Sequence, residues 1–328
     1  MTGAGGQLGR DLVRVLGGEV PPGGTGVDWW GAPLGSEGAG RAAALREVIG
    51  ATHRELAVEE RLSVLDAVAA LRPHVVVHTA AWTSVDACES DPDRALAVNA
   101  LGTRHVAEAC ARHGAHLVYL STDYVFDGGS ERSYHEWDAP GPLSVYGASK
   151  RGGELECPDG STIVRTSWLC SAEGPSMLQT VLRLAPGDGP MRFVDDQRGC
   201  PTFTADLANG VAALAVDRRG GVYHLTNQGS TTWYGFARAV LEESGRDPEL
   251  VRPIATAELD PPRPAPRPKN SVLDNAALRL GKLPVLPEWR DALRRALAWM
   301  GERPDDLHDR HDQTASPHRP VSPLGGPP

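Results

Sequence analysis

Three side chains in this sequence have the types and spacing for reduction of a carbonyl group: Thr122, Tyr146 and Lys150. Thr122 ends an apolar run beginning at His116 and carries a hydroxyl that can hydrogen-bond a carbonyl oxygen. Tyr146 and Lys150 stand at i and i+4 in Tyr146-Gly-Ala-Ser-Lys150, so a helix places both on one face. A phenol there can donate a proton, and an ammonium one turn away is expected to ease its release toward neutral pH. A lone Tyr-x-x-x-Lys is common and carries little weight. Combined with a strand-end Ser121-Thr122 and a glycine-rich loop upstream, it points to an oxidoreductase.

That loop is Gly3-Ala-Gly-Gly6-Gln-Leu-Gly9, a G-x-x-G-x-x-G pattern. An amphipathic segment follows, with Leu8, Leu12, Val15 and Leu16 on one face. Glycines here permit close backbone approach to a pyrophosphate at a helix N-terminus. Only Met1 and Thr2 precede the loop, so the strand that normally leads into it is apparently missing. Arg54, just past a possible strand at Glu47 to Thr52, stands where a dinucleotide fold contacts the adenosine ribose. An arginine there favours the 2′-phosphate of NADPH, with NADH as the alternative. Ala81, Trp82 and Thr83 follow the apolar run ending at His78, and their place suits contact with a cofactor. Asn99 sits on a helix, either bonding backbone near the site or as an ordinary polar helix residue.

The elements around these residues alternate. Ser63 to Leu71 is predicted as a helix, His74 to His78 as a buried strand, and Pro92 to His113 as one long helix. His116 to Ser121 is the next strand, Tyr146 to Glu156 a helix, and Thr162 to Arg165 a strand. Such alternation predicts an α/β fold with a doubly wound parallel sheet, Rossmann-like. Val222 to Thr226 is a further candidate strand and Trp233 to Ser244 a helix. Residues 1–168 are expected to form mainly the dinucleotide-binding domain, with a mobile Gly/Pro-rich insertion at 17–40. Residues 169–300 are expected to form mainly a smaller substrate lobe, with some return to the sheet. Residues 301–328 are polar and Pro-rich and read as a disordered tail.

Composition narrows the partners. The 328 residues carry a formal net charge of −9, which disfavours nucleic acid or an anionic membrane as the main partner. No apolar run reaches the roughly 20 residues of a membrane span, and the start lacks a signal peptide. The five cysteines are scattered, as expected of reduced thiols in a cytoplasmic protein. The histidines show no metal-ligand spacing, so no metal site is assigned.

The chain resembles the dTDP-4-dehydrorhamnose reductase family of the extended short-chain dehydrogenase/reductases. The resemblance rests on Gly3 to Gly9, Ala80-Ala-Trp-Thr-Ser-Val-Asp86, Val98-Asn99, Ser121-Thr-Asp-Tyr-Val-Phe-Asp-Gly128, Tyr146 to Lys150 and Arg165-Thr-Ser-Trp168. It continues through Asp195 to Gly199, Pro201-Thr202, Tyr223-His224, Trp233-Tyr234 and Arg267-Pro-Lys-Asn-Ser-Val-Leu-Asp274. It implies reduction of the 4-keto group of a dTDP-6-deoxy-4-ketohexose, the last step towards dTDP-L-rhamnose, by NADPH or NADH. It further implies that Gly6, Gln7 and Leu8 hold the pyrophosphate and that Ala81, Trp82 and Thr83 hold the middle of the cofactor. Lys150 would reach the nicotinamide ribose, and Thr122, Asp123, Tyr124 and Trp168 the sugar nucleotide. Related 4-ketoreductases of secondary metabolism, and a non-catalytic regulatory homologue, are the alternatives. An intact Thr122, Tyr146 and Lys150 argue against the latter.

The chain departs from the family pattern at its start, where Met1 stands in place of the valine of a Val-Thr-Gly strand end. A start site chosen too late is the expectation. Ala57-Val58 replaces an Asp-apolar pair near the adenine, and Trp82 a more usual Tyr or His. Some family members bind Mg²⁺ through acidic residues at a dimer contact. Asp11 falls at one such position, but the others have no assigned counterpart, so Mg²⁺ and a homodimer stay open without a site.

Overall fold

The structure, a computed structural model, describes residues 1–31, 47–185 and 189–301. Its centre is a parallel sheet in the order Val75–His78, His116–Thr122, Thr162–Thr166, Gly221–His224. The three inner segments are runs of Val, Leu, Ile and Tyr, as required of strands covered on both faces. Helices Gln7–Leu16 and Thr204–Val216 cover one face through a core that includes Leu12, Val118, Val164 and Leu207. Helices Arg61–Leu71 and Gly102–His113 cover the other through Val64, Val76, Val106 and Leu117. This is the doubly wound α/β arrangement that the alternation predicts.

A very short stretch of chain occupies the place of the expected first strand. Thr2 bridges His78 on one side and Ala51 on the other, both in parallel. The Thr2 amide donates to the Val77 carbonyl at 3.1 Å, and the Ala51 amide to that of Met1 at 2.8 Å. Met1–Ala4 therefore fills the position between Val75–His78 and Ala51 with one bridge per side. The strand expected at Glu47 to Thr52 is reduced to the same bridge at Ala51. Without a longer neighbour to pair with, no ladder can extend along it.

A second core lies beyond the sheet. Helices Met177–Leu184, Trp233–Glu243 and Trp289–Gly301 pack with the parallel pair Met191–Val194 and Val251–Ile254. The chain crosses between the two bodies, since Gly221–His224 returns to the main sheet.

Two expectations need correction. The helix predicted over Pro92 to His113 is α-helical at Pro92–Leu96, widens into a π-turn over Ala97–Leu101, and resumes at Gly102–His113. The bulge falls on Asn99, and such bulges cluster at functional sites. The stretch from Gly17 is also anchored as far as Gly31. Arg295 Nε donates to the Gly23 carbonyl at 3.1 Å, and Trp29 lies so close to Gly210 that a Cβ there would fall 2.7 Å from its ring. The remainder of that insertion and the predicted tail lie outside the described residues.

Candidate active site

The helix that carries Tyr146 and Lys150, Val145–Glu156, starts on Ser144, whose Oγ accepts from the Gly147 amide at 3.1 Å. Gly147 follows Tyr146 for a steric reason: a Cβ there would lie 2.2 Å from the Tyr124 carbonyl oxygen. The turn after strand His116–Thr122 thus packs directly on the first turn of this helix. Thr122 caps that turn, accepting from the Tyr124 amide at 3.2 Å and donating to Asp123 Oδ1 at 3.0 Å. The Tyr124 and Tyr146 rings meet edge-on at 5.7 Å. Thr122, Asp123, Tyr124, Tyr146 and Lys150, all named from sequence, are brought together.

A buried charge cluster fixes the helix behind them. Glu154 receives both Arg165 Nε and Nη2 at 2.8 Å, Ser121 Oγ at 2.6 Å and Arg151 Nη1 at 2.8 Å. These contacts hold its carboxyl below the ordinary value despite burial. Breaking a buried pair of this kind costs about 3–5 kcal/mol. On the same helix, Gly153 allows the Tyr119 hydroxyl and the Asn99 carbonyl to approach, where a Cβ would meet them at 2.2 and 2.5 Å.

Burial dominates the electrostatics. Lys150 is 3% exposed, and desolvation pulls its ammonium down to about 7 against the pull of Glu154. Its Nζ lies 4.2 Å from the centre of the Tyr119 ring face. Burial raises the Tyr146 phenol above its ordinary value, although a hydrogen bond with Thr122 works the other way. Desolvation is the largest influence on the phenol and sets the direction of its shift. Asp123 is pushed up to about 6 by burial, and its Oδ2 has no partner among the described residues.

At the same, C-terminal end of the parallel strands, the three glycines of the loop each have a reason. Gly3 has φ +73°, and a Cβ there would fall 2.6 Å from Thr79 Oγ1. A Cβ on Gly9 would meet the Gly3 carbonyl at 2.2 Å. Gly6 is the N-cap of helix Gln7–Leu16 and offers no side chain to its free amides. This is a cradle for an anion at a helix N-terminus, and a dinucleotide pyrophosphate fits it. Leu8 has its side chain in the core, which leaves only its backbone for a ligand. The Gln7 side chain reaches the Pro175 carbonyl at 2.7 Å, tying the cradle to the second body.

Asn99 resolves its two readings in favour of the site. Its Oδ1 accepts from the Trp82 amide at 2.8 Å, and its Nδ2 donates to the Trp82 carbonyl at 3.0 Å and Ser149 Oγ at 2.9 Å. It locks the Ala81–Thr83 segment to helix Val145–Glu156. Trp82 packs with Tyr146, and Arg94 covers its ring at 4.5 Å. Arg54 is exposed in the turn after Ala51. The neighbouring Glu55 carboxylate is occupied by the Thr52 amide and hydroxyl, both at 2.8 Å.

Two features escaped sequence reasoning. Asp86 holds Arg267 by a two-pronged pair at 2.8 Å and also receives the Ala265 amide at 3.2 Å. Both residues lie in segments that resemble the family's, but their pairing across the fold had no local signal. The second is Trp233, stacked on Trp168 at 3.6 Å. The Asp11 carboxylate is buried, and Thr204 Oγ1 donates to it at 2.5 Å and Arg14 at 3.3 Å. No group of three or more metal-ligating side chains occurs among the described residues. Among the described residues, no helix is long and apolar enough to cross a membrane.

A family model described as the RmlD substrate binding domain matches residues 30–301. The dTDP-4-dehydrorhamnose reductase of Streptomyces griseus is 43% identical over 302 residues, covering 89% of this chain and 90% of that protein. The dTDP-4-keto-6-deoxy-D-glucose reductase of Streptomyces niveus is 37% identical over 305 residues, covering 90% and 95%. The crystal structure of dTDP-4-dehydrorhamnose reductase from Bacillus anthracis, in complex with NADP, matches with a TM-score of 0.78 at 33% identity. It covers 90% of this chain and 97% of that one.

Proposed function

The chain belongs to the dTDP-4-dehydrorhamnose reductase family, and from that premise we propose that it reduces the 4-keto group of dTDP-4-dehydrorhamnose to give dTDP-L-rhamnose, with NADPH as the preferred reductant. The observation that carries the reading is the packing of Thr122 and Tyr146 across the Gly147–Tyr124 contact. It puts two hydroxyls at one place: Thr122, whose hydrogen can turn from Asp123 to a substrate oxygen, and the proton donor Tyr146.

Bound in the Gly3–Gly9 cradle, NADPH supplies the hydride that reaches C4 of the sugar. Thr122 Oγ1 holds the carbonyl oxygen. Tyr146 then gives that oxygen its proton, completing the secondary alcohol. Burial of Tyr146 keeps the phenol protonated until charge develops on the substrate oxygen, which is the state an acid catalyst needs. Lys150 sits in the helix turn below, and its lowered value leaves its charge responsive to a bound anion. Asn99 and the Glu154 cluster position these groups without touching the substrate. Exposed Arg54, beside a glutamate already occupied by Thr52, supports 2′-phosphate recognition and hence NADPH over NADH.

Purified protein given dTDP-4-dehydrorhamnose or dTDP-4-keto-6-deoxy-D-glucose, each with NADPH and with NADH, tests the assignment by cofactor oxidation. Faster turnover of the rhamnose precursor with NADPH is expected. Preference for the second sugar favours the other reading, to which the Streptomyces niveus relative points.

A further inference from the structure

Trp168 follows the strand Thr162–Thr166 with φ +45°, a conformation that side chains with a Cβ rarely adopt. Its neighbours enforce it. Ser167 Oγ donates to the Cys200 carbonyl at 2.7 Å, and the Thr202 amide donates to the Trp168 carbonyl at 3.1 Å. The Trp233 indole lies on the Trp168 ring at 3.6 Å and 6° from parallel. Gly199 lies against the nitrogen-bearing side of the same ring, where a Cβ would fall 2.4 Å from Cε2 and 2.6 Å from Nε1. Both supports come from one two-stranded ribbon, since Arg198–Gly199 pairs antiparallel with Thr231–Thr232, immediately before Trp233. Thr232 anchors that ribbon through Asp195 Oδ1 at 2.6 Å and caps the helix that begins at Trp233.

Both indoles are only half-buried, so the stack is not simply core. The Trp168 N–H has no protein partner among the described hydrogen bonds, while the backbone and ring around it are fully determined. A donor held this way against its own backbone preference is preorganised for an acceptor from outside.

We propose that Trp233, together with Gly199, is a positioning residue that sets affinity for the sugar nucleotide by fixing the Trp168 indole. The acceptor is an oxygen of the hexose or diphosphate. The inference rests on Trp168 contacting the sugar nucleotide, as in the function proposed above.

Trp233→Ala, Trp233→Phe and Gly199→Ala test it. Gly199→Ala leaves the packing of Trp233 on Phe236 (6.2 Å, edge-on) in place, so it separates positioning from core stability. Trp233→Ala and Gly199→Ala should raise KM for dTDP-4-dehydrorhamnose by roughly ten- to a hundredfold. They should also weaken calorimetric binding of dTDP-L-rhamnose by the same factor. In both, kcat and NADPH affinity should stay within about twofold, and Trp233→Phe should fall between them and the wild type. The circular-dichroism couplet of the stacked indoles should vanish in Trp233→Ala. An unchanged KM with the couplet lost would overturn the proposal, as would a parallel fall of KM performance, kcat and NADPH affinity in Gly199→Ala. If the wild type turns over no 4-keto sugar, the functional reading fails. The dTDP-L-rhamnose titration then still decides whether Trp233 governs binding.

Discussion

Replacing Lys150 with methionine should make the protein more stable while removing its activity. Lys150 is 3% exposed and its native pKa is about 7, against about 10.4 for an ordinary lysine. At about 1.4 kcal/mol per pH unit, keeping it buried costs about 4 kcal/mol at pH 7, where half of it is still charged. The Tyr119 ring face beneath its Nζ returns up to about 2 kcal/mol. Methionine is close in length and carries no charge, so Lys150→Met should gain about 2 kcal/mol in urea unfolding without dinucleotide. The sign of the pH dependence follows from the lowered value. Between pH 7 and about 10 the unfolded chain holds the lysine proton and the native chain does not, so wild-type stability rises with pH in that window. The cost of burial should therefore fall to about 2 kcal/mol by pH 9, and most of the variant's advantage with it. Turnover should fall a hundredfold or more, as roughly expected when acid catalysis is detuned. A variant less stable than the wild type at pH 7 would refute the reasoning, because it would mean the ammonium is compensated within the native state.

Other expectations follow from single contacts. Tyr146→Phe should abolish turnover and leave NADPH binding nearly intact, read by calorimetry, since only the transferred proton is lost. Gly147→Ala must displace the Tyr124 carbonyl and should lower both kcat and melting temperature; unchanged kcat would contradict the packing described. Glu154→Gln should destabilise by about 3 kcal/mol or more in denaturant titration, because Arg165 loses its buried partner. Asp123, raised to about 6, should make the native state lose stability as pH rises from about 4 to 6. Asp123→Asn should remove that slope.

The chemistry of the site was readable in the sequence because it depends on local spacing. Tyr146 and Lys150 sit one helical turn apart, Thr122 ends an apolar run, and Gly3, Gly6 and Gly9 mark a close approach. The alternation of strand and helix likewise predicted the doubly wound sheet. Long-range partners were not readable. Nothing local in Asp86 indicates Arg267, and nothing in Trp233 indicates that it will lie flat on Trp168. The π-turn at Asn99 was hidden because its residues have ordinary helix propensities. Its cause is tertiary: the amide of Asn99 is pulled to Trp82 and Ser149. Spacing reveals a charge near Tyr146 but not the depth of its burial, which sets the direction of its shift here.

The central claim is that hydride passes from the dinucleotide to C4 of a dTDP-4-keto sugar at the Thr122–Tyr146 centre. Reduction of dTDP-4-dehydrorhamnose with NADPH deuterated at its transferable position, followed by NMR of the product, tests it directly. Deuterium on C4 of dTDP-L-rhamnose, formed by the wild type and not by Tyr146→Phe, is the expected result. Deuterium at another carbon, or label transfer undiminished in Tyr146→Phe, would contradict the account.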